Sequence, residues 1–302
     1  MKNKNPHING LLLINKPQNI TSFKITKTIE KKLGVKTGHA GTLDPFAEGL
    51  MVIGINKATK TLEYLSNFDK EYIAKCKWGA ETDTLDRDGK IIKTTEEKIN
   101  FDKISEALKS FNGEISQVPP KFSALKINGK RLYELAREGK DFKIEPRNVT
   151  IYDIRNLTNN IDKNTSRFFI KCSKGTYIRS LIRDIAYEIN NLGFTSELKR
   201  TKIGELNLKN SVTLEYVNEN SINDILNSDA FIDLENIRIN NNILDLTADE
   251  YKAFVHGQEI IRNDLHFLET DVINTLFQRK LIGFSKISCN QKPAISPIKV
   301  FI

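Results

Sequence analysis

A short glycine-rich segment, GHAGTLDPFAEG (residues 38–49), carries the residues best suited to chemistry. Its carboxylate Asp44 lies between glycines and directly before a proline, a context that favours an extended backbone in a tight, exposed loop. The loop leads into LMVIGI, an apolar run typical of a buried strand, so we expect Asp44 at one end of a sheet. Asp-Pro is also a common turn pair, and the pattern alone leaves a catalytic carboxylate and a plain turn both open. A phosphate-binding P-loop is excluded because the chain contains neither GxxxxGKS nor GxxxxGKT.

A second unusual position is Arg179 in TYIRSLIRDI. The apolar spacing of this segment predicts a helix that is ended by Gly193. Arg179 then falls in the first turn, where the helix dipole disfavours a cation. Arg179, like Arg183 one turn later, could simply be solvated. Alternatively, Arg179 turns back towards an anion that outweighs the dipole, and Asp44 is the candidate.

The remaining polar motifs predict no metal site. TDTLDRDG resembles a calcium loop, but an EF-hand alignment places Thr84 and Thr95 where acidic ligands are required, so we expect a surface turn. The four histidines are dispersed, no HExxH motif occurs, and Cys76, Cys172 and Cys289 form no CxxC pair. The cysteines therefore predict neither a zinc site nor a disulfide framework, and favour a reducing, cytoplasmic environment.

Composition is that of a globular protein with a basic surface. The chain has 302 residues, which suggests one large or two smaller domains, and its apolar stretches are too short to span a membrane. A net charge of +8 fits a polyanionic partner and equally fits a generally basic surface. Tyr72 and Tyr177 could be core aromatics or could stack on unpaired RNA bases.

Hydrophobic periodicity predicts the elements that must hold these residues. GLLLINKPQNITSFKITKTIEKKLG predicts a strand, a Lys-Pro turn and a helix capped by Thr21 or Ser22 and ended by Gly34. Further strands are expected at 72–78, at VTIYDI and at RFFIKCS, and a short helix at 101–111. The basic, Pro- and Gly-punctuated stretch between that helix and VTIYDI predicts an excursion from the core. A composition change predicts a boundary near 235–245, followed by a small unit whose most strand-like part is TLFQRKLIGFSKI.

Five ordered segments together resemble the TruB family, the bacterial tRNA pseudouridine synthases that act on uridine 55 of the T arm. The segments are GLLLINKP, GHAGTLDPFAEG, KEYIA with TDTLDRDG, QVPPKFSALKINGKRLYELAREG and CSKGTYIRSLIRDI. Any one of them alone would be a weak signal, but their order and spacing are specific. The resemblance therefore favours a catalytic Asp44 over a plain turn, and a paired Arg179 over a solvated one.

The resemblance implies roles for individual residues. Asp44 matches the catalytic nucleophile and Arg179 the arginine that pairs with it. Tyr72 matches the tyrosine that packs on the target base and helps to remove the proton at carbon 5. His39, Tyr177 and Leu198 match substrate-contacting positions. Lys16 matches the lysine of the family's Lys-Pro strand end, which has a supporting role. Phe46 and Glu48 depart from the family, which more often has a smaller aliphatic residue and a small polar residue there.

The fold that the resemblance implies is α+β. A mixed α/β pseudouridine synthase domain (residues 1–238) is expected around a mainly antiparallel central sheet, with an RNA-clasping insertion at about 122–146. A small β-rich C-terminal domain (residues 239–302) follows, for which a PUA-like RNA-binding fold is one expectation. The implied reaction converts uridine 55 of the tRNA T arm to pseudouridine by base flipping and covalent catalysis. It requires no cofactor or metal, and the implied enzyme is cytoplasmic, monomeric and not bound to a membrane.

Other functions remain open at this stage. The chain could be a non-catalytic tRNA-binding or folding protein that keeps the fold. It could belong to the branch of the family that works in guide-RNA ribonucleoproteins, although those relatives rely on a larger C-terminal RNA-binding domain. A glycoside hydrolase using Asp44 and Glu48 would need a sugar-binding platform, which the surrounding sequence does not suggest.

Overall fold

The structure, a computed structural model, describes residues 4–123, 125–127, 129–138, 142–262, 271–288 and 293–301. The strands of these residues are β1 (Gly10–Lys16), β2 (Thr37–His39), β3 (Glu48–Ile55), β4 (Lys70–Trp78), β5 (Ala80–Thr82), β6 (Ile91–Thr94), β7 (Gly113–Gln117), β8 (Lys126–Ile127), β9 (Lys130–Arg131), β10 (Arg147–Asn160), β11 (Thr165–Cys172), β12 (Gly193–Ile203), β13 (Leu206–Asn207), β14 (Val212–Thr213), β15 (Phe231–Asp233), β16 (Ile243–Asp245), β17 (Ile260–Ile261), β18 (Ile273–Phe277), β19 (Lys280–Ser288) and β20 (Ala294–Val300). The α-helices are α1 (Ser22–Leu33), α2 (Leu62–Leu65), α3 (Asp102–Ala107), α4 (Leu132–Arg137), α5 (Ile178–Glu188), α6 (Leu214–Glu219), α7 (Ile222–Leu226) and α8 (Ala248–Val255). Short 3-10 helices lie at Asn56–Thr61, Leu108–Phe111, Leu208–Asn210 and Leu234–Asn236.

A large sheet forms the centre of the molecule, with the strand order β14-β1-β3-β12-β4-β11-β10-β7. Strands β2, β13 and β15 pair at its sides. The pairs β1/β14 and β3/β12 are parallel, and the other pairs of this sheet are antiparallel. With helices packed on it, this sheet confirms the predicted mixed α/β architecture around a mainly antiparallel sheet.

Helix α1 forms where its caps and periodicity predict it. The Thr21 side chain accepts a hydrogen bond from the Lys24 amide, and Gly34 ends the helix in the left-handed region at φ 63°. Ile25, Ile29 and other apolar residues of one face are buried against β1 and β3. Helix α1 thereby fixes the position of the segment that leads to Asp44.

Helix α5 ends earlier than predicted. It stops at Glu188, and Asn190 then takes a left-handed conformation at φ 56°. Asparagine tolerates this conformation because its short polar side chain can hydrogen-bond locally, so it can end a helix as glycine does. Gly193, which we expected to end the helix, instead begins β12.

Two apolar clusters hold the central sheet. One packs α1 on β1 and β3, and the other packs α5 on β4, β11 and β12. The second cluster includes Leu43 and Phe46, which flank Asp44 in the glycine-rich loop. The loop is therefore anchored on both sides of its carboxylate by buried side chains.

A second sheet, with the order β16-β18-β19-β20-β17, forms the C-terminal part. The hairpin β18–β19 confirms the strand prediction for TLFQRKLIGFSKI, and it turns through Gln278 and Arg279, both at positive φ. Phe284 of β19 packs edge-on against Tyr64, with ring centroids 4.8 Å apart. The predicted boundary between residues 238 and 239 stays a prediction. Among the described helices, none is long and apolar enough to cross a membrane.

The predicted insertion at 122–146 lies partly outside the described residues, which omit 124, 128 and 139–141. Its described parts contain the hairpin β8–β9 and helix α4. The amide of Leu132 donates to the Leu125 carbonyl at 2.7 Å. The RNA-clasping role of this segment stays a prediction.

Candidate active site

The loop that carries Asp44 is held by hydrogen bonds to the first strand and helix. Ser22 exchanges two hydrogen bonds of 2.9 Å with the backbone of Leu43, one as donor and one as acceptor. The Pro45 carbonyl accepts from the Asn19 amide at 2.7 Å and from Lys16 Nζ at 3.1 Å. The backbone on each side of Asp44 is therefore fixed, while its side chain keeps 34% of its surface exposed.

Arg179 reaches Asp44 from the start of α5. Its Nε lies 2.9 Å from Asp44 Oδ2, and its Nη2 donates to Asp44 Oδ1 at 3.2 Å. The two residues are 135 positions apart in the chain, and the arginine side chain is only 4% exposed. This two-point contact orients the carboxylate, and it explains why a cation is tolerated in the first turn of a helix.

The other guanidinium donors of Arg179 are also used. Nη1 donates to the Thr84 carbonyl at 2.7 Å and lies 3.2 Å from Asp86 Oδ2, and Nη2 donates to the Phe122 carbonyl at 3.0 Å. Arg179 therefore joins the Asp44 loop to the acidic turn and to the base of the insertion. A guanidinium can do this because its donors spread in one plane around a delocalised charge.

The prediction that TDTLDRDG is a surface turn was wrong. Leu85 and Asp86 are buried, and the turn is pinned to β12 by two hydrogen bonds of 3.1 Å between its backbone and that of Thr195. Burial raises the pKa of Asp86, while the Thr84 hydroxyl and Arg179 oppose this rise. Leu85, an apolar residue in the middle of a polar turn, was the signal for burial available in the sequence, since leucine side chains are most often buried.

Tyr72 lies on β4 beside a second buried arginine, Arg200 on β12. The two residues are paired in the antiparallel register of β4 and β12, and the Arg200 guanidinium donates to the carbonyls of Leu50 and Gly41 at 2.8 and 3.1 Å. Burial raises the pKa of the Tyr72 phenol, and Arg200 acts against this rise. Arg200 was not predicted from the sequence, because no local pattern distinguishes it from an exposed cation.

Lys16 stabilises the loop that carries Asp44. Its side chain is fully buried, and Nζ donates to the carbonyls of Pro17, Ile20 and Pro45 at 2.8–3.1 Å. Burial lowers its pKa to about 8. These contacts fit the predicted supporting role, because the ammonium is directed at the backbone beside Asp44 and not at open space.

The remaining predicted residues lie on β2, directly before α5 and on β12. His39 ends β2, and its buried Nδ1 has no hydrogen-bond partner among the described residues. Burial is the main cause that lowers its pKa, and Arg200 adds to it. Tyr177 precedes α5, where Gln117 donates to its carbonyl at 3.1 Å and accepts from its amide at 2.8 Å. Leu198 is buried in the cluster on which Tyr72 packs.

Comparison with known proteins identifies the family. The model of the TruB family pseudouridylate synthases (N-terminal domain) matches residues 26–178 of this chain. The chain belongs to the TruB family. The match ends one residue before Arg179, so the arginine that contacts Asp44 follows directly after it.

Several bacterial relatives share most of the chain. A protein of Borreliella burgdorferi (strain ZS7) named tRNA pseudouridine synthase B is 44% identical over 239 residues, which cover 79% of this chain and 84% of that protein. Proteins of the same name from Aquifex aeolicus (strain VF5) and Rickettsia bellii (strain OSU 85-389) are 44% and 39% identical, over 69% and 83% of this chain and 73% and 85% of theirs. These similarities make the chain a pseudouridine synthase.

Solved structures show the same fold. A chain in the structure of an H/ACA RNP bound to a substrate RNA containing 2′-deoxyuridine superposes with a TM-score of 0.72 at 22% identity, covering 97% of this chain and 85% of that chain. A chain of a Cbf5–Nop10–Gar1 complex superposes with a TM-score of 0.71 at 23% identity, covering the same shares. At this identity the likeness concerns the fold alone, and it extends through the C-terminal sheet.

The two positions that depart from the TruB pattern are both accommodated. Phe46 is fully buried in the α5 cluster, so the larger side chain fills core space and not the opening around Asp44. Glu48 begins β3, lies 3.2 Å from Lys199 Nζ and accepts from Gln18 at 3.4 Å. Its carboxylate is thus engaged by polar neighbours that do not include Arg179.

Proposed function

We propose that this chain isomerises uridine to pseudouridine at position 55 in the T-arm loop of tRNA, with Asp44 as the covalent nucleophile. The contact between Arg179 and Asp44 carries the proposal, since binding RNA alone would not require a partly exposed carboxylate held at two points by a buried guanidinium. The names of the bacterial relatives support tRNA as the substrate.

The reaction explains why a single carboxylate is placed in a fixed loop. Isomerisation breaks the N1–C1′ bond of uridine and rejoins the same base through carbon 5. Covalent attack by Asp44, at carbon 6 of the base or at the anomeric carbon of the sugar, divides this exchange into easier steps while the base stays enclosed. Arg179 holds the attacking oxygens in a fixed direction. Because the product has the same atoms and oxidation state as the substrate, the chemistry requires no cofactor.

The target base must leave its stack before Asp44 can reach it. Enzymes that act on stacked bases generally flip the nucleotide out, and unstacking costs a few kcal/mol. In this proposal Tyr72 packs on the flipped base, Leu198 and Tyr177 line its pocket, and His39 fills part of the space that the base leaves. The unpartnered Nδ1 of His39 supports this role, because an RNA group would complete its hydrogen bonding.

Three further parts of the chain complete the proposal. A net charge of +8 favours binding of the tRNA backbone. The insertion at about 122–146 would clasp the T arm, and a C-terminal domain at 239–302 would add RNA contacts. The enzyme would act as a monomer in the cytoplasm, where its tRNA substrate is found.

The proposal is tested by mapping pseudouridine in a tRNA transcript after incubation with the purified protein. We expect one new pseudouridine, at position 55, and none in a transcript that carries cytidine there. Tight binding of the transcript without any pseudouridine would instead establish a non-catalytic tRNA-binding protein. Modification at other uridines only would refute the assignment of the T-arm site.

A further inference from the structure

The first turn of α1 exposes a large aromatic side chain near the Asp44 loop. Phe23 is 67% exposed, although the residues on the inner face of the same helix are buried. The preceding residue, Ser22, is joined to the backbone of Leu43 by two hydrogen bonds of 2.9 Å. Phe23 and Asp44 each lie one residue beyond this contact, so their α-carbons are at most roughly 15 Å apart. The ring therefore belongs to the surface that adjoins the candidate active site.

Two lysines accompany the ring. The Lys27 ammonium lies 5.7 Å from the ring centroid, within the range of a cation–π contact, and it also pairs with Glu30 at 2.9 Å. Lys24 is exposed, and its ammonium has no partner among the residues that the structure describes. It lies in the first turn, which contains no acidic residue and where the helix dipole disfavours a cation. At Arg179 the same situation is resolved by Asp44, whereas no described carboxylate pairs with Lys24.

The helix as a whole is basic. It contains four lysines and one glutamate, so its 12 residues carry three of the eight net positive charges of the chain. Single exposed apolar side chains are common on protein surfaces, and Phe23 alone would indicate nothing. An exposed ring set among cations, however, is the arrangement that stacks an unpaired base and binds the phosphates beside it. An apolar partner would have to desolvate the lysines, so the charge of this surface favours a nucleic acid.

We propose that Phe23, Lys24 and Lys27, which we call the α1 platform, bind the tRNA strand next to the target uridine. An unpaired base of the T loop stacks on the Phe23 ring, and the two lysines contact the phosphates that flank this base. The platform holds the strand while the target nucleotide is flipped towards Asp44, and so offsets part of the cost of unstacking. This inference rests on the proposed function.

The first test detects stacking directly and needs no turnover. Phe23→Trp places an exposed indole on the platform, and its fluorescence is titrated with tRNA transcript in the full chain. We expect strong quenching at saturation, because stacked bases quench indole emission. Ile161→Trp is the matched control, since it places an indole at another exposed apolar position, in the turn between β10 and β11. No quenching in Phe23→Trp, or equal quenching in both variants, would overturn the proposal.

The second test measures the affinity for a T-arm hairpin by filter binding over a series of salt concentrations. Phe23→Ala should weaken binding about 5- to 150-fold, the effect of removing one base–aromatic stack. The double variant Lys24→Met/Lys27→Met should lower the slope of log Kd against log salt by about 1.4, since each lysine–phosphate contact on a single strand contributes about 0.7. Lys98→Met/Lys103→Met is the matched control, because both lysines are exposed outside the platform. Wild-type affinity of Phe23→Ala, or equal slopes for the two double variants, would overturn the proposal.

These tests separate the inference from the proposed function. A protein that makes no pseudouridine in tRNA refutes the proposed function, while the quenching of Phe23→Trp still decides whether the α1 platform binds RNA. A protein that modifies position 55 but shows neither effect keeps the proposed function and overturns the platform. The three platform residues are exposed, so we expect all variants to fold, and thermal melts beside the wild type check this.

Discussion

Replacing Arg179 with lysine tests whether the guanidinium, and not merely a positive charge, directs Asp44. Arg179 makes three contacts with carboxylates, two with Asp44 and one with Asp86. A lysine ammonium presents its donors from one nitrogen on a differently shaped side chain, so it cannot reproduce the two-nitrogen contact with Asp44 together with the contact to Asp86, and we count two of the three contacts as lost. Each hydrogen bond to a charged group contributes about 1.5–3 kcal/mol, and loss of two contacts therefore removes about 3–6 kcal/mol.

We expect this loss to appear mainly in kcat. If the lost contacts act on the transition state, kcat of Arg179→Lys falls by roughly two to four orders of magnitude, since about 1.4 kcal/mol corresponds to a factor of ten. The assay is tritium release from C5-labelled tRNA at saturating substrate, and filter binding reports tRNA affinity separately. Arg183→Lys serves as the matched control, because it makes the same exchange one turn later on α5, where the guanidinium contacts Asp184 and not Asp44. An Arg179→Lys variant that keeps more than about one tenth of the wild-type kcat would refute the reasoning.

Two further predictions concern the support of the loop. Gly49→Ala should destabilise the fold by about 1–3 kcal/mol more than Gly113→Ala. Both glycines have positive φ, but only the Cβ added at Gly49 would meet the Arg200 backbone. Equal losses of stability in chemical denaturation would contradict this. Burial lowers the pKa of Lys16 to about 8 from 10.5, so the unfolded chain binds this proton more tightly than the folded chain does. The free energy of unfolding, relative to Lys16→Met, should therefore rise by about 3 kcal/mol between pH 8 and pH 10.5, and a difference that does not vary with pH would rule out the buried ammonium.

Local features of the fold were predictable because they depend on neighbouring residues. The cap of α1 at Thr21 and its end at Gly34 follow from side-chain and backbone preferences that act within one turn. The end of α5 was predicted at Gly193, although Asn190 can take the same left-handed conformation and comes first. The prediction named only the glycine, whereas the helix ends just before the asparagine that comes first along the chain.

The candidate site was predictable only in part. The pairing of Arg179 with Asp44 was predicted because a cation in the first turn of a helix needs an anion nearby. The positions of Asp86 and Arg200 depend on the order of strands in the central sheet, which brings β12 between β3 and β4. Hydrophobic periodicity does not encode that order, so a buried carboxylate appeared to be part of a surface turn.

The central claim is that Asp44 performs the covalent step, and the Asp44→Asn variant tests it most directly. Tritium release from C5-labelled tRNA is measured for this variant, and tRNA binding is measured alongside it. Glu48→Gln provides the control, because it neutralises a carboxylate of the same segment that Lys199 and Gln18 engage and Arg179 does not. We predict that Asp44→Asn binds tRNA and releases no tritium, while Glu48→Gln remains active. Tritium release by Asp44→Asn at the wild-type rate would contradict the account.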